Sequence, residues 1–267
     1  MLVIKLSNDE SIEKVNVNLV RDIVNPPLQK IYFGAPGTGK SHNISTIICD
    51  HLGLEFTDIN NLPNVFRTTI FSDFTYHDFI GSIMPVINQN DKIEYAFEPG
   101  VFTKVLSYAF GNPNIQTYLV LEEMTRGNMA SIFGDVFQLL DRDENGMSTY
   151  FINNELIAKE LNKETSDFFD VETDSYKKIY LPANLSILGT INSTDQSVFP
   201  MDTRFKRRFD FEYVSTEPVF NDDVPLNDFE FKFQNKTITW VDFYQRINKF
   251  IIEDAELSKI SKLASFS

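Results

Sequence analysis

The segment 34–41 reads GAPGTGKS and matches the pattern G-x-x-x-x-G-K-[S/T]. It lies between an apolar run that predicts a strand, 29–33, and a segment with helical spacing, 40–52. Glycines here let backbone N–H groups surround a phosphate, while the N-terminus of the helix adds partial positive charge. The predicted phosphate-binding residues are Gly34, Ala35, Pro36, Gly37, Thr38, Gly39, Lys40 and Ser41. The alternative is a glycine turn that only caps the helix.

Within this loop, two side chains have separate predicted roles. The spacing predicts that Lys40 reaches the β- and γ-phosphates of a nucleotide and that the Ser41 hydroxyl is a ligand of Mg²⁺. The loop therefore predicts GTP or ATP as ligand, together with Mg²⁺.

The apolar run LVLEE, 119–123, predicts a buried strand that ends in two carboxylates. Neighbouring strand residues point to opposite faces, so the two acids suit different roles. Glu122 is predicted to support the Mg²⁺, although an aspartate is usual at this position, and Glu123 to act as general base on the attacking water. A solvated strand end is the alternative.

A second buried strand, LSILGTIN (185–192), ends in Asn192. Its amide, beside the acidic strand, is a candidate to hold the attacking water or the γ-phosphate. The alternative is an asparagine that forms a turn.

Four cations cluster in the segment DTRFKRRFDF, 202–211, of a chain whose formal net charge is −14: Arg204, Lys206, Arg207 and Arg208. One interpretation is a nucleic-acid patch, although so acidic a chain should as a whole repel a phosphate backbone. A second is that the arginines contact phosphate bound elsewhere. A third is a solvated helix end.

Bulk composition limits the class of protein. The 267 residues include 42% hydrophobic residues and 25 Phe, which predicts a substantial core. The single cysteine, Cys49, excludes an intrachain disulfide framework and favours a reducing compartment. No apolar run is long enough to span a membrane and the N-terminus does not resemble a signal peptide. We therefore expect a cytoplasmic protein without membrane association.

Strands that alternate with helices predict an α/β fold with a central parallel sheet flanked by helices. Residues 84–97 predict a β-hairpin, and 128–142 has the spacing of an amphipathic helix. Residues 143–180 form a long polar insertion. Loops of this length are usually functional or mobile. After about residue 216 the pattern changes to a short strand pair followed by one helix.

In this order, the loop, the acidic strand and the polar strand resemble those of AAA+ ATPases. The sequence around and between these motifs resembles the McrB-like branch of that family. Its members are the nucleotide-driven motor subunits of modification-dependent restriction systems. The stretches that carry the resemblance are IYFGAPGTGKSH (31–42), FSDFTYHDFIGSIMP (71–85), YAFEPGVFTKV (95–105), LVLEEMTRGNMASIFGDVFQLLDRD (119–143) and LPANLSILGTINSTDQSVFPMDTRFKRRFDF (181–211).

This resemblance implies roles for further residues. NSTD (192–195) stands where the family has its Asn-x-x-Asp signature, which implies Asn192 as sensor and Asp195 as a partner that positions water or neighbouring groups. Arg207 and Arg208 match the family's paired arginines, one of which is typically a finger supplied to the adjacent subunit. Arg126 matches an arginine near the subunit boundary. The implied assembly is a homo-oligomeric ring, a hexamer, with a McrC-like nuclease partner through which DNA is contacted.

The resemblance also predicts how the chain divides. The expected parts are an N-terminal segment (1–28) too short for a DNA-reading domain, an AAA+ core (29–215) and a small, incomplete lid (216–267). Two other functions remain open. One is a protein-remodelling ATPase of the MoxR or chaperone type, and the other is a nucleotide-binding assembly module with little turnover.

Overall fold

The computed structural model describes residues 25–55, 59–87, 91–165, 169–170, 175–176, 178–193, 201–215, 217, 220–221, 224–225, 230–233 and 236–250. Its strands are β1 (Gln29–Gly34), β2 (Val65–Thr69), β3 (Gly81–Ile87), β4 (Ile93–Pro99), β5 (Thr117–Glu122), β6 (Phe169–Asp170), β7 (Ser175–Tyr176), β8 (Leu185–Asn192), β9 (Asp210–Tyr213), β10 (Phe220–Asn221), β11 (Val224–Pro225), β12 (Glu230–Phe233) and β13 (Lys236–Thr239). Its helices are α1 (Lys40–Leu52), α2 (Tyr76–Ile80), α3 (Val101–Gly111), α4 (Met129–Phe133), α5 (Glu155–Leu161), α6 (Thr203–Lys206) and α7 (Trp240–Lys249), with 3₁₀ turns at Ile59–Asn61, Met124–Arg126 and Gly134–Leu140.

A five-stranded sheet in the order β2-β5-β8-β1-β9 organises the core, and every neighbouring pair in it is parallel. The predicted α/β fold with a central parallel sheet flanked by helices is therefore confirmed. Because parallel strands end at the same edge of a sheet, the segments that follow β1, β5 and β8 lie close together. The ends of these three strands carry the predicted site residues.

Alternate residues of β5 pack into two different apolar layers. Tyr118 and Val120 join the cluster that contains Ile44 and Ile48 of α1. Leu119 and Leu121 join a larger cluster on the other face, with Phe79, Phe102 and Phe133. All of these side chains are at most 1% exposed. The strand is apolar on both faces because both faces of the sheet are covered.

The amphipathic segment 128–142 is not one helix. It divides into α4 and the 3₁₀ turn that begins at Gly134, whose φ is +50°. A Cβ atom added at Gly134 would approach the Tyr76 ring to 2.9 Å. Glycine therefore suits this position both for its positive φ and for the close approach of the ring, and the helical spacing reveals neither.

The described part of residues 143–180 contains regular structure that its polar composition did not predict. Within the described part they contain α5 and an isolated bridge between Ile152 and Ile179. Ile152, Ile157, Leu161 and Ile179 are buried in the larger core cluster. The polar composition concealed this structure, because a few apolar side chains, spaced far apart in the sequence, are enough to anchor the segment to the core.

Arg142 connects that segment to the sheet. Its guanidinium donates to the carbonyl oxygens of Gly146 at 2.6 Å, Pro182 at 3.2 Å and Leu185 at 2.6 Å. It also donates to Gln29 Oε1 at 2.9 Å. Burial lowers the pKa of Arg142 to about 10, which still leaves a cation at neutral pH.

Replacing Arg142 by methionine is expected to lower the free energy of unfolding by about 2–4 kcal/mol, because several carbonyl groups lose their donor. Denaturant unfolding measures the change. The matched control is Arg246→Met. Its side chain is 82% exposed, and its ion pair with Asp242 is long, at 3.7 Å, and open to solvent. The control should change stability by at most about 0.5 kcal/mol. Equal effects of the two substitutions would contradict a structural role for Arg142.

Two predicted hairpins are present. β3 pairs with β4 across residues 81–99, and part of the predicted turn (88–90) lies outside the described residues. β12 pairs with β13 and leads into α7, which confirms the predicted strand pair followed by a helix. No helix in the described ranges is long and apolar enough to cross a membrane.

Candidate nucleotide-binding site

The glycine-rich loop connects β1 to α1 in the predicted way. Gly37 and Gly39 have φ of 78° and 80°, in the left-handed region that other residues rarely adopt. The Thr38 hydroxyl donates to the carbonyl oxygen of Ala35 at 2.9 Å and closes the turn. The loop therefore stands at the N-terminus of a thirteen-residue helix, where backbone N–H groups are available to an anion.

Lys40 is the first residue of that helix and is 7% exposed. Its Nζ donates to the carbonyl oxygens of Gly34 at 3.2 Å and Ala35 at 2.6 Å. The ammonium group therefore lies against the loop that is predicted to bind the phosphates.

Glu122 faces the same helix. Its Oε2 accepts hydrogen bonds from Ser41 Oγ at 3.1 Å and from Thr190 Oγ1 at 2.6 Å. The two predicted Mg²⁺ ligands, Ser41 and Glu122, are therefore in direct contact although 81 positions separate them in the chain. The longer side chain of glutamate reaches the serine without difficulty.

Glu123 follows β5 in the left-handed conformation, with φ 58° and ψ 40°. This conformation is unfavourable for a residue other than glycine, and such strain is concentrated at functional sites. Asn192 Nδ2 donates to Glu123 Oε2 at 2.6 Å, and Arg126 Nε lies 3.4 Å from the same oxygen. The predicted base and the predicted sensor are thus hydrogen-bonded to each other.

Sequence reasoning missed Thr190 and Arg67. Thr190 donates to Glu122 and accepts a hydrogen bond from the Glu123 backbone N–H at 3.0 Å. Arg67 Nη2 lies 3.5 Å from Glu122 Oε1. A signal for Thr190 existed, since it stands two residues before Asn192 and so shares its face of β8. For Arg67 the signal was a cation inside the strand run VFRTT.

A cavity of about 340 Å³ opens beside the loop and is lined by Pro36, Gly37, Gly39, Lys40, Ser41, His42, Glu123, Thr190 and Asn192. Glu122 is not among its lining residues, but it contacts Ser41, which is. A hydroxyl and a carboxylate are the oxygen ligands that Mg²⁺ prefers, and Lys40 with the loop N–H groups suits phosphate. The residues present therefore fit a nucleotide with Mg²⁺.

The predicted arginines differ in their surroundings. Arg208 forms an ion pair with Asp141, and its guanidinium carbon lies 4.2 Å from the centre of the Phe137 ring. Arg207 is exposed, and its side chain makes no hydrogen bond or ion pair with the residues that the structure describes. Asp195 lies outside the described residues. Arg126 is exposed, and its Nε lies 3.4 Å from Glu123 Oε2.

A parallel sheet with a glycine-rich loop after β1 and an acid at the end of β5 defines a P-loop protein with an AAA+ core. The chain belongs to the McrB-like family of AAA+ proteins of restriction systems. It is 37% identical over 247 residues to the Type II restriction enzyme BsuMI component YdiS of Bacillus subtilis (strain 168), a match that covers 84% of this chain and 68% of that protein.

A second relative is more distant. The chain is 24% identical over 193 residues to the Type IV methyl-directed restriction enzyme EcoKMcrB subunit of Escherichia coli (strain K12), covering 70% of this chain and 35% of that protein. No family model matches the chain. A crystal structure of a Cytophaga hutchinsonii protein assigned as an ATPase aligns with a TM-score of 0.34 at 12% identity, covering 70% of this chain and 42% of the other. That likeness is too weak to carry an argument.

Proposed function

We propose that this chain is the nucleoside triphosphatase subunit of a McrBC-type restriction system, with GTP or ATP as substrate and Mg²⁺ as cofactor. The observation that carries the proposal is the convergence of Lys40, Ser41, Glu122, Glu123 and Asn192 at the ends of β1, β5 and β8. Family membership supports the same function, since both relatives are named as parts of restriction enzymes.

The site residues have distinct roles in the proposed reaction. The loop N–H groups and Lys40 bind the phosphates, while Ser41 and Glu122 hold the metal site. A bound Mg²⁺ would neutralise charge on the phosphates. Glu123 accepts a proton from the attacking water, and Asn192 keeps its carboxylate directed into the cavity through their 2.6 Å contact.

The proposed assembly is a homo-oligomeric ring, a hexamer, in which Arg207 reaches the γ-phosphate in the adjacent subunit. Its exposure supports this assignment over Arg208, which contacts Asp141 and Phe137 of its own chain. Arg126 is assigned to the subunit boundary beside the base, and Asp195 to the positioning of water. A McrC-like nuclease would be the partner, DNA would be contacted through it, and the compartment would be the cytoplasm.

Hydrolysis of GTP and of ATP by the purified chain, over a wide range of protein concentrations, tests the proposal. The expected result is a rate per subunit that rises with concentration, because each site is completed by its neighbour. The preferred base identifies the substrate. No hydrolysis of either nucleotide, at any concentration and with a McrC-like partner added, would contradict the proposed triphosphatase.

A further inference from the structure

Arg67 lies in β2, beside the acidic strand, and its side chain is 25% exposed. It is paired in register with Val120, and Val120 and Glu122 point to the same face of β5. The guanidinium therefore extends along this face towards the carboxylate at the end of the neighbouring strand.

The two oxygens of Glu122 have different neighbours. Oε2 accepts hydrogen bonds from Ser41 and Thr190, whereas Oε1 lies 3.5 Å from Arg67 Nη2. One oxygen thus faces the phosphate loop and the other faces the cation on β2. With glutamate in place of the usual aspartate, the extra methylene adds a rotatable bond that these contacts restrict.

Two of the three guanidinium nitrogens of Arg67 have no hydrogen-bond acceptor within the described residues. Arg67 Nη1 donates to Asn60 Oδ1 at 3.2 Å, but the buried Nε and Nη2 atoms have no hydrogen-bond partner within the described residues. Buried donors without an acceptor are costly, and Glu122 Oε1 is the nearby anion. A small movement of the carboxylate would shorten the 3.5 Å separation to a charge-assisted hydrogen bond.

We infer that Arg67 is a positioning residue of the metal site, which holds Glu122 Oε1 and thereby keeps Oε2 directed at Ser41 and at a bound Mg²⁺. The inference rests on the proposed function, because it assigns the metal to Ser41 and Glu122. It adds a residue that neither the loop motif nor the acidic strand predicts. Residues that orient metal ligands commonly change metal affinity by about 10–100-fold when they are replaced.

The experiment is an equilibrium titration of fluorescent methylanthraniloyl-ATP and -GTP binding against Mg²⁺, without turnover. In Arg67→Met, the Mg²⁺ concentration that produces half of the metal-dependent change in affinity is expected to rise about tenfold or more. Affinity in EDTA should match the parent, which shows that the loop is intact. Arg67→Lys should lie between the two, since lysine keeps the charge but loses the planar fork.

Two further variants make the result specific. Lys30→Met is the matched control, because Lys30 pairs with Glu212 at 2.9 Å near the opposite end of β1 from the loop. It should leave the Mg²⁺ dependence unchanged. In a Glu122→Gln background, Arg67→Met should have little additional effect, because the group that Arg67 positions has lost its charge.

The titration distinguishes failure of the inference about Arg67 from failure of the proposed function. A Mg²⁺ dependence in Arg67→Met equal to that of the parent would overturn the inference alone. So would a lower Mg²⁺ requirement, since it would mean that Arg67 competes with the ion for Glu122. A parent chain that binds neither nucleotide, with or without Mg²⁺, would overturn the inference and the proposed function together.

Discussion

Replacing Arg207 by alanine is expected to lower the rate of hydrolysis per subunit by about 10³-fold or more, with little change in stability. A finger arginine stabilises the charge that develops on the transferred phosphoryl group, and its removal typically costs about 10³–10⁵ in rate. The side chain is exposed and makes no hydrogen bond or ion pair with the described residues, so its loss removes no internal contact there. Steady-state hydrolysis and thermal unfolding measure the two effects.

Mixing variants tests whether Arg207 acts on the neighbouring subunit. An Arg207→Ala subunit keeps an intact phosphate loop, and a Lys40→Ala subunit keeps the finger. In an equal mixture half of the loops are intact and half of those adjoin a finger, so roughly a quarter of the parental rate should return in a head-to-tail ring. No recovery in the mixture would mean that Arg207 does not act between subunits.

Arg208→Ala is the matched control. Its ion pair with Asp141 and its contact with Phe137 are lost, so the free energy of unfolding should fall by about 1–2 kcal/mol. Activity of the folded variant should fall far less than in Arg207→Ala. If the two variants exchanged these effects, the assignment of the finger would be reversed.

The second large effect is expected for Glu123→Gln. Removing a general base lowers hydrolysis by about 10²–10⁴-fold. The amide oxygen of glutamine can still accept the hydrogen bond from Asn192, which is 2.6 Å in the parent, so the local structure should persist. Single-turnover hydrolysis and the binding of a fluorescent nucleotide measure the rate and the affinity separately.

The matched control for this change is Glu94→Gln on the exposed strand β4, which should leave the rate unchanged. Affinity for nucleotide should be the same in both variants and in the parent. A parental rate in Glu123→Gln would show that another group accepts the proton.

The local parts of this protein were predictable from the sequence alone. The loop from Gly34 to Ser41, the helix after it and the buried strands all follow from spacing within about ten residues. Periodicity and glycine content are local properties, and the elements that they predict differ from the structure by only a few residues. The acid that ends β5 and the amide that ends β8 were likewise visible, because parallel strands present their ends at one edge.

Tertiary structure alone decided which groups touch. Ser41 meets Glu122, Arg67 approaches the other oxygen of that glutamate, and Arg208 turns inward to Asp141. These contacts depend on the order of strands in the sheet and on side-chain packing between segments far apart in the chain, which no local spacing encodes. The close approach of the Tyr76 ring to Gly134 has the same origin, since the two residues are 58 positions apart in the chain.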